Sequence, residues 1–307
     1  MSPRIRTAVR AWLAKFFHLA QRFGFDVLPR HFYSEIPSIF ELRQSGDWKQ
    51  PFSMIGVRGA ELAGQLEFAR GLVTPALTER TRRGDIFPAA CQKNGAEGYG
   101  PIEAEFLFAF ITSRRPRRVL QIGCGVSTAV CLHAAREAGY SVAITCIEPF
   151  PTAFLRQAAA AGEITLLPKR AQEIGTALAE TLESGDLFFV DSTHALGPAG
   201  EVTRIILEML PRLRPGVFAH FHDIFLPYDY PGNLLTTELF FNHESSLLHA
   251  FLAGNSRFRI QAALSMLHHQ RPAELAALLP NYRPRGNDHG LATTPGHFPS
   301  SAYLLAE

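Results

Sequence analysis

The chain has 307 residues, of which 47% are hydrophobic and 19% charged, a composition that supports a sizeable core and excludes a chain disordered throughout. Its 30 basic and 28 acidic residues leave a net charge of +2, which argues against a protein that binds nucleic acid by neutralising phosphates. Four cysteines without a CxxC pair indicate neither a zinc site nor a disulfide framework, and they suit a reducing, cytoplasmic compartment.

The N-terminal region predicts neither a membrane span nor a signal peptide. No apolar run in the sequence reaches the roughly 18 residues that a spanning helix needs. Lys15, His18 and Arg22 interrupt the apolar segment that a signal peptide would require. We therefore expect a cytoplasmic protein.

Residues 1–30 predict a basic amphipathic helix, because they hold six basic residues against one acid. Apolar side chains recur there at steps of three and four, namely Val9, Trp12, Leu13, Phe16, Phe17, Ala20 and Phe23. Such a helix either lies on an anionic lipid surface or packs its apolar stripe on the protein body or on a second subunit in a homodimer. The sequence leaves these alternatives open.

Residues 31–100 predict loops and short helices. Three glycines and a proline between Asn94 and Pro101 mark a loop there. The pattern favours an N-terminal cap or lid over 1–96, which includes the amphipathic helix, and a main domain over 97–307.

From residue 101 strands and helices alternate. Strands are predicted at 118–122, 142–147, 164–167, 187–190 and 217–221, and helices at 102–112, 128–138, 153–161, 172–182 and 201–213. This alternation indicates βαβ units and a parallel sheet covered on both faces. A helix over 235–252, a strand over 258–264, a loop over 281–302 and a strand over 302–306 follow. Because only a loop is expected before the last strand, we predict that it is antiparallel.

A glycine-rich turn, Gln121-Ile-Gly-Cys-Gly-Val-Ser-Thr128, follows the first predicted strand of the alternation. Glycines let a backbone approach a ligand closely, and the start of the next helix offers free N–H groups. The dinucleotide fingerprint needs a third glycine where this chain has Thr128, so the turn lacks the pattern that binds the pyrophosphate of NAD. An ordinary tight turn remains the alternative.

Polar residues follow the next strands. Glu148 ends the second strand, where a carboxylate can accept hydrogen bonds from both ribose hydroxyls of a nucleoside. Asp191 and His194 follow the fourth strand, and His222 and Asp223 follow the fifth. Neighbouring parallel strands end at the same edge, so we expect these four residues to meet. They could form an acid–base cluster, a divalent-cation site or a buried hydrogen-bond network.

Together these motifs resemble class I S-adenosylmethionine-dependent methyltransferases, and more narrowly the bacterial subgroup called methyltransferase family 24. The resemblance covers about residues 97–306 and rests on the GxG turn, the Ile-Glu-Pro at 147–149, the Phe-Val-Asp-Ser-x-His at 189–194 and the segment 220–231. It implies an α/β fold with a Rossmann-like, doubly wound sheet of seven strands in the order 3-2-1-4-5-7-6, the last strand antiparallel, and an N-terminal helical cap.

The resemblance also implies roles for individual residues. Those placed at the cofactor are Gly123, Gly125, Ser127 and Thr128 at the methionine part, Glu148 at the ribose with Pro149 beside it, Gln172 at the adenine, and Asp191 and His194 facing the sulfonium and the acceptor. Metal-dependent members hold magnesium with an Asp at strand four and an acidic pair at strand five. Here His222 and Asp223 stand at the second position. That departure makes Asp191, His222 and Asp223 only candidate metal ligands and favours acid–base catalysis by Asp191, His194, His222 and Asp223.

The predicted function is methyl transfer from S-adenosylmethionine to a small-molecule or sugar-like acceptor at oxygen. The aromatic side chains that could form an acceptor pocket are Tyr33, Tyr99, Phe225, Tyr228 and Tyr230. Two alternatives stay open. One is an enzyme of the same fold that consumes S-adenosylmethionine, or uses a metal, without transferring methyl to an acceptor. The other is a non-catalytic binding module.

Overall fold

The computed structural model describes residues 3–45, 49–231, 234–235, 238–284 and 297–307. Contacts divide the chain into two units, Met1–Gln44 and Ser45–Glu307. The helix predicted near the N-terminus is present as α1 (Pro3–Gln21), and a short α2 (Ile39–Ser45) follows. Across the stretches described, no helix combines the length and the apolar character needed to cross a bilayer.

The second unit begins with helices that lead to the sheet. They are α3 (Leu62–Leu72), α4 (Pro75–Thr81), α5 (Ile86–Asn94) and α6 (Pro101–Arg114). α6 begins on a proline, which suits the first helical position because the N–H there has no intrahelical partner. Residues 102–111 of α6 are all buried. The contacts thus group residues 45–96 with the rest of this unit, and a domain boundary after residue 96 stays a prediction.

The sheet has the predicted order, β3-β2-β1-β4-β5-β7-β6. Its strands are β1 (Arg118–Ile122), β2 (Ala143–Ile147), β3 (Thr165–Leu167), β4 (Leu187–Val190), β5 (Phe218–Phe221), β6 (Phe258–Ala263) and β7 (Ala302–Ala306). The first five strands pair in parallel, and β7 is antiparallel to both β5 and β6. The predicted seven-stranded α/β fold, including its antiparallel last strand, is confirmed.

Helices cover both faces of the sheet. One hydrophobic core contains α6, α7 (Val126–Glu137) and α8 (Ala153–Ala160). The other contains the helical segment 201–212. Phe189 belongs to the first core and its neighbour Phe188 to the second, because successive side chains of a strand point to opposite faces.

Two predicted helices have a different form. In place of a helix over 172–182 there are two 3-10 segments, Ala171–Glu173 and Thr176–Thr181, because Ile174 and Gly175 between them are extended. The helix over 201–213 has an α turn, α9 (Glu201–Arg204), followed by a π turn and a final 3-10 turn. Pro211 contributes to that change, since it has no N–H to continue α-helical hydrogen bonding.

The region after β5 also differs from the prediction. The helix expected over 235–252 is not continuous, because Leu239 adopts a left-handed φ of 58° that helices exclude. Residues 234–235 are helical, and the later part of the prediction is α10 (Glu244–Leu252). The expectation of a loop alone between β6 and β7 was wrong, because α11 (Leu264–Gln270) and α12 (Pro272–Leu278) lie there. Part of the predicted loop, 285–296, lies outside the described residues.

Candidate active site

The glycine turn after β1 is required by close packing of the strand ends. Gly123 has a φ of 78°, and a Cβ atom added to it would lie 1.8 Å from the carbonyl oxygen of Asp191. No other residue fits there without moving the β4 end, because both the backbone angle and the space exclude a side chain. The turn therefore brings the ends of β1 and β4 into direct contact.

Ser127 and Thr128, predicted at the cofactor, are buried and bonded to β1. Gln121 donates from Nε2 to the Ser127 hydroxyl at 3.1 Å, and the Thr128 hydroxyl donates to Gln121 Oε1 at 2.8 Å. The backbone N–H of Gly125 donates to the Thr128 hydroxyl at 3.2 Å. These bonds fix the turn and the start of α7. Ser127 also borders a small cavity of about 170 Å³ at the turn.

Glu148 lies beside the same turn, at the end of β2. Its Oε2 accepts from the Cys124 N–H at 3.2 Å, and its Oε1 accepts from the Phe150 N–H at 2.9 Å. A carboxylate has about four lone-pair directions, so each oxygen can accept a further hydrogen bond from a ligand. Glu148 is thus held in place by the backbone and still available to hydroxyl groups.

A larger cavity of about 380 Å³ adjoins the turn and shares Gly123, Glu148 and Asp191 with the smaller one. Pro149 and Gln172 also border the larger cavity. The side-chain oxygen of Gln172 is buried and accepts no hydrogen bond from any described residue. We refer to the two cavities together as the GxG cleft. Its unpaired amide oxygen and its carboxylate suit a ligand that carries amino and hydroxyl donors.

The four polar residues after β4 and β5 lie together. His222 Nδ1 lies 3.3 Å from Asp191 Oδ1 and 3.7 Å from Asp223 Oδ1. His194 Nε2 lies 3.6 Å from both Asp191 Oδ1 and Asp223 Oδ2. The strand ends therefore meet as the sequence predicted, and we call these four residues the acid–imidazole cluster.

Glu244 is a member of the site that the sequence analysis missed. Its Oε2 lies 2.6 Å from His194 Nδ1, and its Oε1 accepts from the Ser192 hydroxyl at 3.3 Å. The side chain is completely buried, at the first residue of α10, where a helix N-terminus favours a negative charge. The sequence analysis predicted one continuous helix over 235–252. It therefore placed Glu244 inside a helix and not at a helix start.

Glu103 was also missed. Its Oε1 accepts from the Ser300 N–H at 2.8 Å, and the Ser300 hydroxyl donates to Asp223 Oδ1 at 2.8 Å. Burial raises the pKa of Glu103. An acid within the apolar run of α6 is the sequence signal that could have identified it, since buried acids need partners.

The cluster is strongly charged. Burial opposes ionisation of Asp191, but His222 and His194 hold its pKa well below the usual range. Burial would lower the pKa of His222, yet the carboxylates of Asp223 and Asp191 raise it to about 9. Burial likewise acts against the charge of His194, and its contacts with Asp191 and Glu244 raise its pKa well above the usual value. At neutral pH both imidazoles are cations between carboxylates.

His220, by contrast, belongs to the packed interior. Its ring stacks on Phe189 with centroids 4.3 Å apart, and its Nε2 lies 3.1 Å from the Tyr99 hydroxyl and 3.0 Å from the Ser301 hydroxyl. Burial lowers the pKa of His220 well below its usual value, which keeps it neutral. It supports the ring of Tyr99, which packs 4.6 Å from His222.

The same cluster offers ligands for a metal ion. Asp191, His194 and His222 each place one ligand atom within 4.8 Å of the others, and they are the one such group among the residues described. A carboxylate and two imidazoles form an acceptable set for a divalent cation. The predicted set had Asp223 where this geometry has His194.

A third cavity, of about 530 Å³, lies on the other side of the cluster. Its lining includes Tyr99, Glu103, His222, Asp223, Phe225, Phe298 and Ser300. Of the five aromatic side chains predicted for an acceptor pocket, Tyr99 and Phe225 border it. Tyr230 instead packs behind Phe225, with ring centroids 5.0 Å apart, and Tyr33 is 83% exposed. We call this space the aromatic cavity.

Comparisons with known proteins place this geometry in context. Residues 120–224 match a protein family described as "Methyltransferase domain". An uncharacterized protein of Archaeoglobus fulgidus is 26% identical over 163 residues, which is 50% of this chain and 73% of that protein. The segment 120–224, which matches the methyltransferase domain family, contains the GxG turn, Glu148 and the acid–imidazole cluster.

Solved structures of similar fold include three methyltransferases. A Podospora anserina methyltransferase bound to SAH has 17% identity and a TM-score of 0.39, over 92% of this chain and 99% of that one. The O-methyltransferase TomG of Streptomyces achromogenes, in complex with SAM, has 16% identity and a TM-score of 0.42, over 76% and 90%. An O-methyltransferase from Bacillus cereus in complex with SAH has 13% identity and a TM-score of 0.42, over 76% and 92%.

Proposed function

We propose that this chain, in which residues 120–224 match a methyltransferase domain family, transfers a methyl group from S-adenosylmethionine to a hydroxyl oxygen of a small, sugar-like acceptor. One observation carries the proposal. Asp191 borders the GxG cleft, while His222 and Asp223 border the aromatic cavity. Since His222 Nδ1 lies only 3.3 Å from Asp191 Oδ1, the cluster stands where a cofactor and an acceptor would meet.

The GxG cleft fits the cofactor. Gly123 and Gly125 would border the methionine part, and Glu148 would accept hydrogen bonds from the ribose hydroxyls. The unpaired oxygen of Gln172 could accept from the adenine amino group, with Pro149 alongside. Bound there, S-adenosylmethionine would supply an electrophilic methyl group on a sulfonium, and the Asp191 carboxylate would stabilise that positive charge.

The aromatic cavity suits an acceptor rich in hydroxyl groups. Tyr99 and Phe225 offer apolar faces on which a sugar-like ring can pack. Glu103, Asp223 and Ser300 offer hydrogen-bonding groups at the same wall, and the two acids disfavour an anionic acceptor. A neutral hydroxylated molecule meets both conditions.

His222 is the proposed general base. In its neutral form a ring nitrogen takes the acceptor hydroxyl proton as the new carbon–oxygen bond forms and the sulfonium carbon–sulfur bond breaks with its electron pair left on sulfur. Nδ1 of His222 faces Asp191 and Asp223, while Nε2 makes no hydrogen bond with a described residue, so Nε2 is available to the acceptor hydroxyl. Asp191 and Asp223 would stabilise the imidazolium that results. His194, held by Glu244, would keep Asp191 ionised.

A divalent cation is the second candidate for activating the acceptor, and the ligand geometry of Asp191, His194 and His222 favours it. A metal would occupy the nitrogen that a base needs, because a ligating imidazole must be neutral and unprotonated. The two mechanisms therefore exclude each other, and chelation distinguishes them.

Calorimetry with S-adenosylmethionine tests the cofactor site. We expect Glu148→Ala to weaken binding by about 1.5–3 kcal/mol, the usual contribution of hydrogen bonds to a charged group. Glu163→Ala, at an exposed position in the turn between α8 and β3, serves as the matched control and should bind as the parent does. Equal affinity in a folded Glu148→Ala variant would place the nucleoside elsewhere.

Methyl transfer to acceptors is tested with labelled S-adenosylmethionine and two panels of compounds. Neutral glycosides should be methylated, while phosphorylated or carboxylated analogues of the same size should not. Methylation confined to the anionic panel, or loss of the label without any acceptor, would contradict the proposal.

A further inference from the structure

We propose that α1 is a docking helix that lies on the surface of membranes rich in anionic lipid. The proposal concerns α1 alone and does not depend on the proposed reaction. Its apolar part consists of Val9, Trp12, Phe16 and Leu19, which we call the α1 apolar face. These residues follow one another at steps of three, four and three, and so share one side of the helix.

The α1 apolar face is exposed. The exposed fractions are 42% for Val9, 63% for Trp12, 41% for Phe16 and 52% for Leu19. The rings of Trp12 and Phe16 stack with centroids 5.7 Å apart and so form one contiguous aromatic pair. Single exposed apolar side chains are common on protein surfaces, but a contiguous row of them on one helix face marks an interaction site.

Basic side chains flank this face. At about 100° per residue, Lys15 and Arg22 lie next to Leu19 on one side of this face, Arg22 just past the end of α1. Arg10 lies on the other side, beyond Leu13 and Phe17. All three basic side chains are exposed. A helix with aromatic and aliphatic residues on one face, basic residues on the rest and low average hydropathy is typical of helices that lie in the membrane interface.

The distribution of charge points to lipid as the occupant. Residues 1–30 hold six of the 30 basic residues and only one of the 28 acidic ones, so the remainder of the chain is net acidic. Anionic headgroups attract this segment by about 1 kcal/mol for each basic side chain near the surface. A second copy of the helix would instead bring like charges together in a symmetric pair.

Sedimentation of the full chain with lipid vesicles tests this inference. We expect weak binding to phosphatidylcholine vesicles and binding at least about tenfold tighter when about a third of the lipid is phosphatidylglycerol. Reversal of the flanking charges in Arg10→Glu/Lys15→Glu/Arg22→Glu should remove that preference. Trp12→Ala/Phe16→Ala should weaken binding to both kinds of vesicle, because it removes apolar area.

A matched control has the same change in charge elsewhere, as Arg82→Glu/Arg83→Glu/Arg271→Glu, and should bind like the parent chain. Circular dichroism and the unfolding midpoint verify that each variant is folded. Equal binding to both vesicle types, or equal loss in the control, would overturn the inference. So would a dimer in solution that Trp12→Ala/Phe16→Ala dissociates, since the face would then be covered by a second copy.

Discussion

At the scale of single residues, the two carboxylates beside His222 decide when its ring can accept a proton. They raise its pKa to about 9, so most of the imidazole is protonated at neutral pH. Only the neutral ring can act as a base. We therefore expect turnover to rise about tenfold per pH unit below pH 9 and to level off above it, measured under saturating substrates. A profile that is flat between pH 6 and 9, at fixed buffer strength, would contradict this role.

Replacing His222 separates the base mechanism from the metal mechanism. His222→Asn should lower turnover by about 10²–10⁴-fold with little change in affinity for S-adenosylmethionine, because the base acts only in the reaction step. His133→Asn on α7 is the control and should leave turnover unchanged. If the parent enzyme loses its activity to a chelator and recovers it with an added divalent ion, the cluster holds a metal and His222 is a ligand.

Glu244 is expected to position His194. Glu244→Gln retains the shape of the side chain but removes the charge that holds the imidazole at 2.6 Å. We expect kcat to fall about 10- to 100-fold, the usual effect of losing a supporting carboxylate, while KM for S-adenosylmethionine is unchanged. Steady-state kinetics measure both constants, with Glu208→Gln on the exposed side of the segment 201–212 as the control. A change in KM alone would assign Glu244 to cofactor binding instead.

At the scale of elements, α6 holds the first core against the antiparallel end of the sheet. Phe110 packs against Phe218 of β5, with ring centroids 5.2 Å apart, and against Tyr303 of β7, at 5.3 Å. α6 therefore contacts β5 and β7, the two neighbouring strands that pair antiparallel to each other. It also carries Glu103, so the same helix connects the core with the aromatic cavity.

Removal of the Phe110 ring tests this contact. Phe110→Ala should lower the free energy of unfolding by about 3–5 kcal/mol, because a buried ring is replaced by a cavity between a helix and two strands. The midpoint of urea unfolding measures the loss. Phe240→Ala, at a side chain that is 54% exposed, is the control and should cost less than about 1 kcal/mol. Similar losses in the two variants would show that α6 does not support the sheet in this way.

At the scale of the whole molecule, a buried acid makes stability depend on pH. Glu105 of α6 accepts from Asn281 Nδ2 at 2.6 Å, across 176 residues of sequence. Burial raises the pKa of Glu105 to about 7. Because the folded state holds this proton more tightly than the unfolded state, its contribution to stability is complete below about pH 4.5 and is lost as pH rises through about 7.

Glu105→Gln should remove that loss. Relative to the parent chain, the variant should gain about 2–3 kcal/mol in its free energy of unfolding between pH 4.5 and pH 8, as a pKa shift of this size implies. Urea unfolding at the two pH values measures the difference, and Glu67→Gln on the exposed side of α3 should show none. A constant difference between variant and parent at both pH values would mean that Glu105 does not titrate in this range.

The resemblance to class I methyltransferases supplied the order of the strands. The sequence by itself determined the positions of the five parallel strands, the glycine turn and the four residues of the acid–imidazole cluster. Each depends on a local pattern: apolar runs of strand length, a turn that only glycine can adopt, and polar residues directly after buried strands. Parallel strands of a doubly wound sheet end at a common edge, so local patterns were enough to bring Asp191 and His222 together.

Only the tertiary structure decided which other side chains meet that cluster. Glu244 and Glu103 reach it from helices 50 or more residues distant in sequence from His194, and no local pattern reports such a contact. It also decided that Ser127 and Thr128 bond to β1, since the direction of a side chain depends on what packs around it. The sequence left the alternatives for α1 open for the same reason: periodicity defines an apolar face but does not identify what covers it.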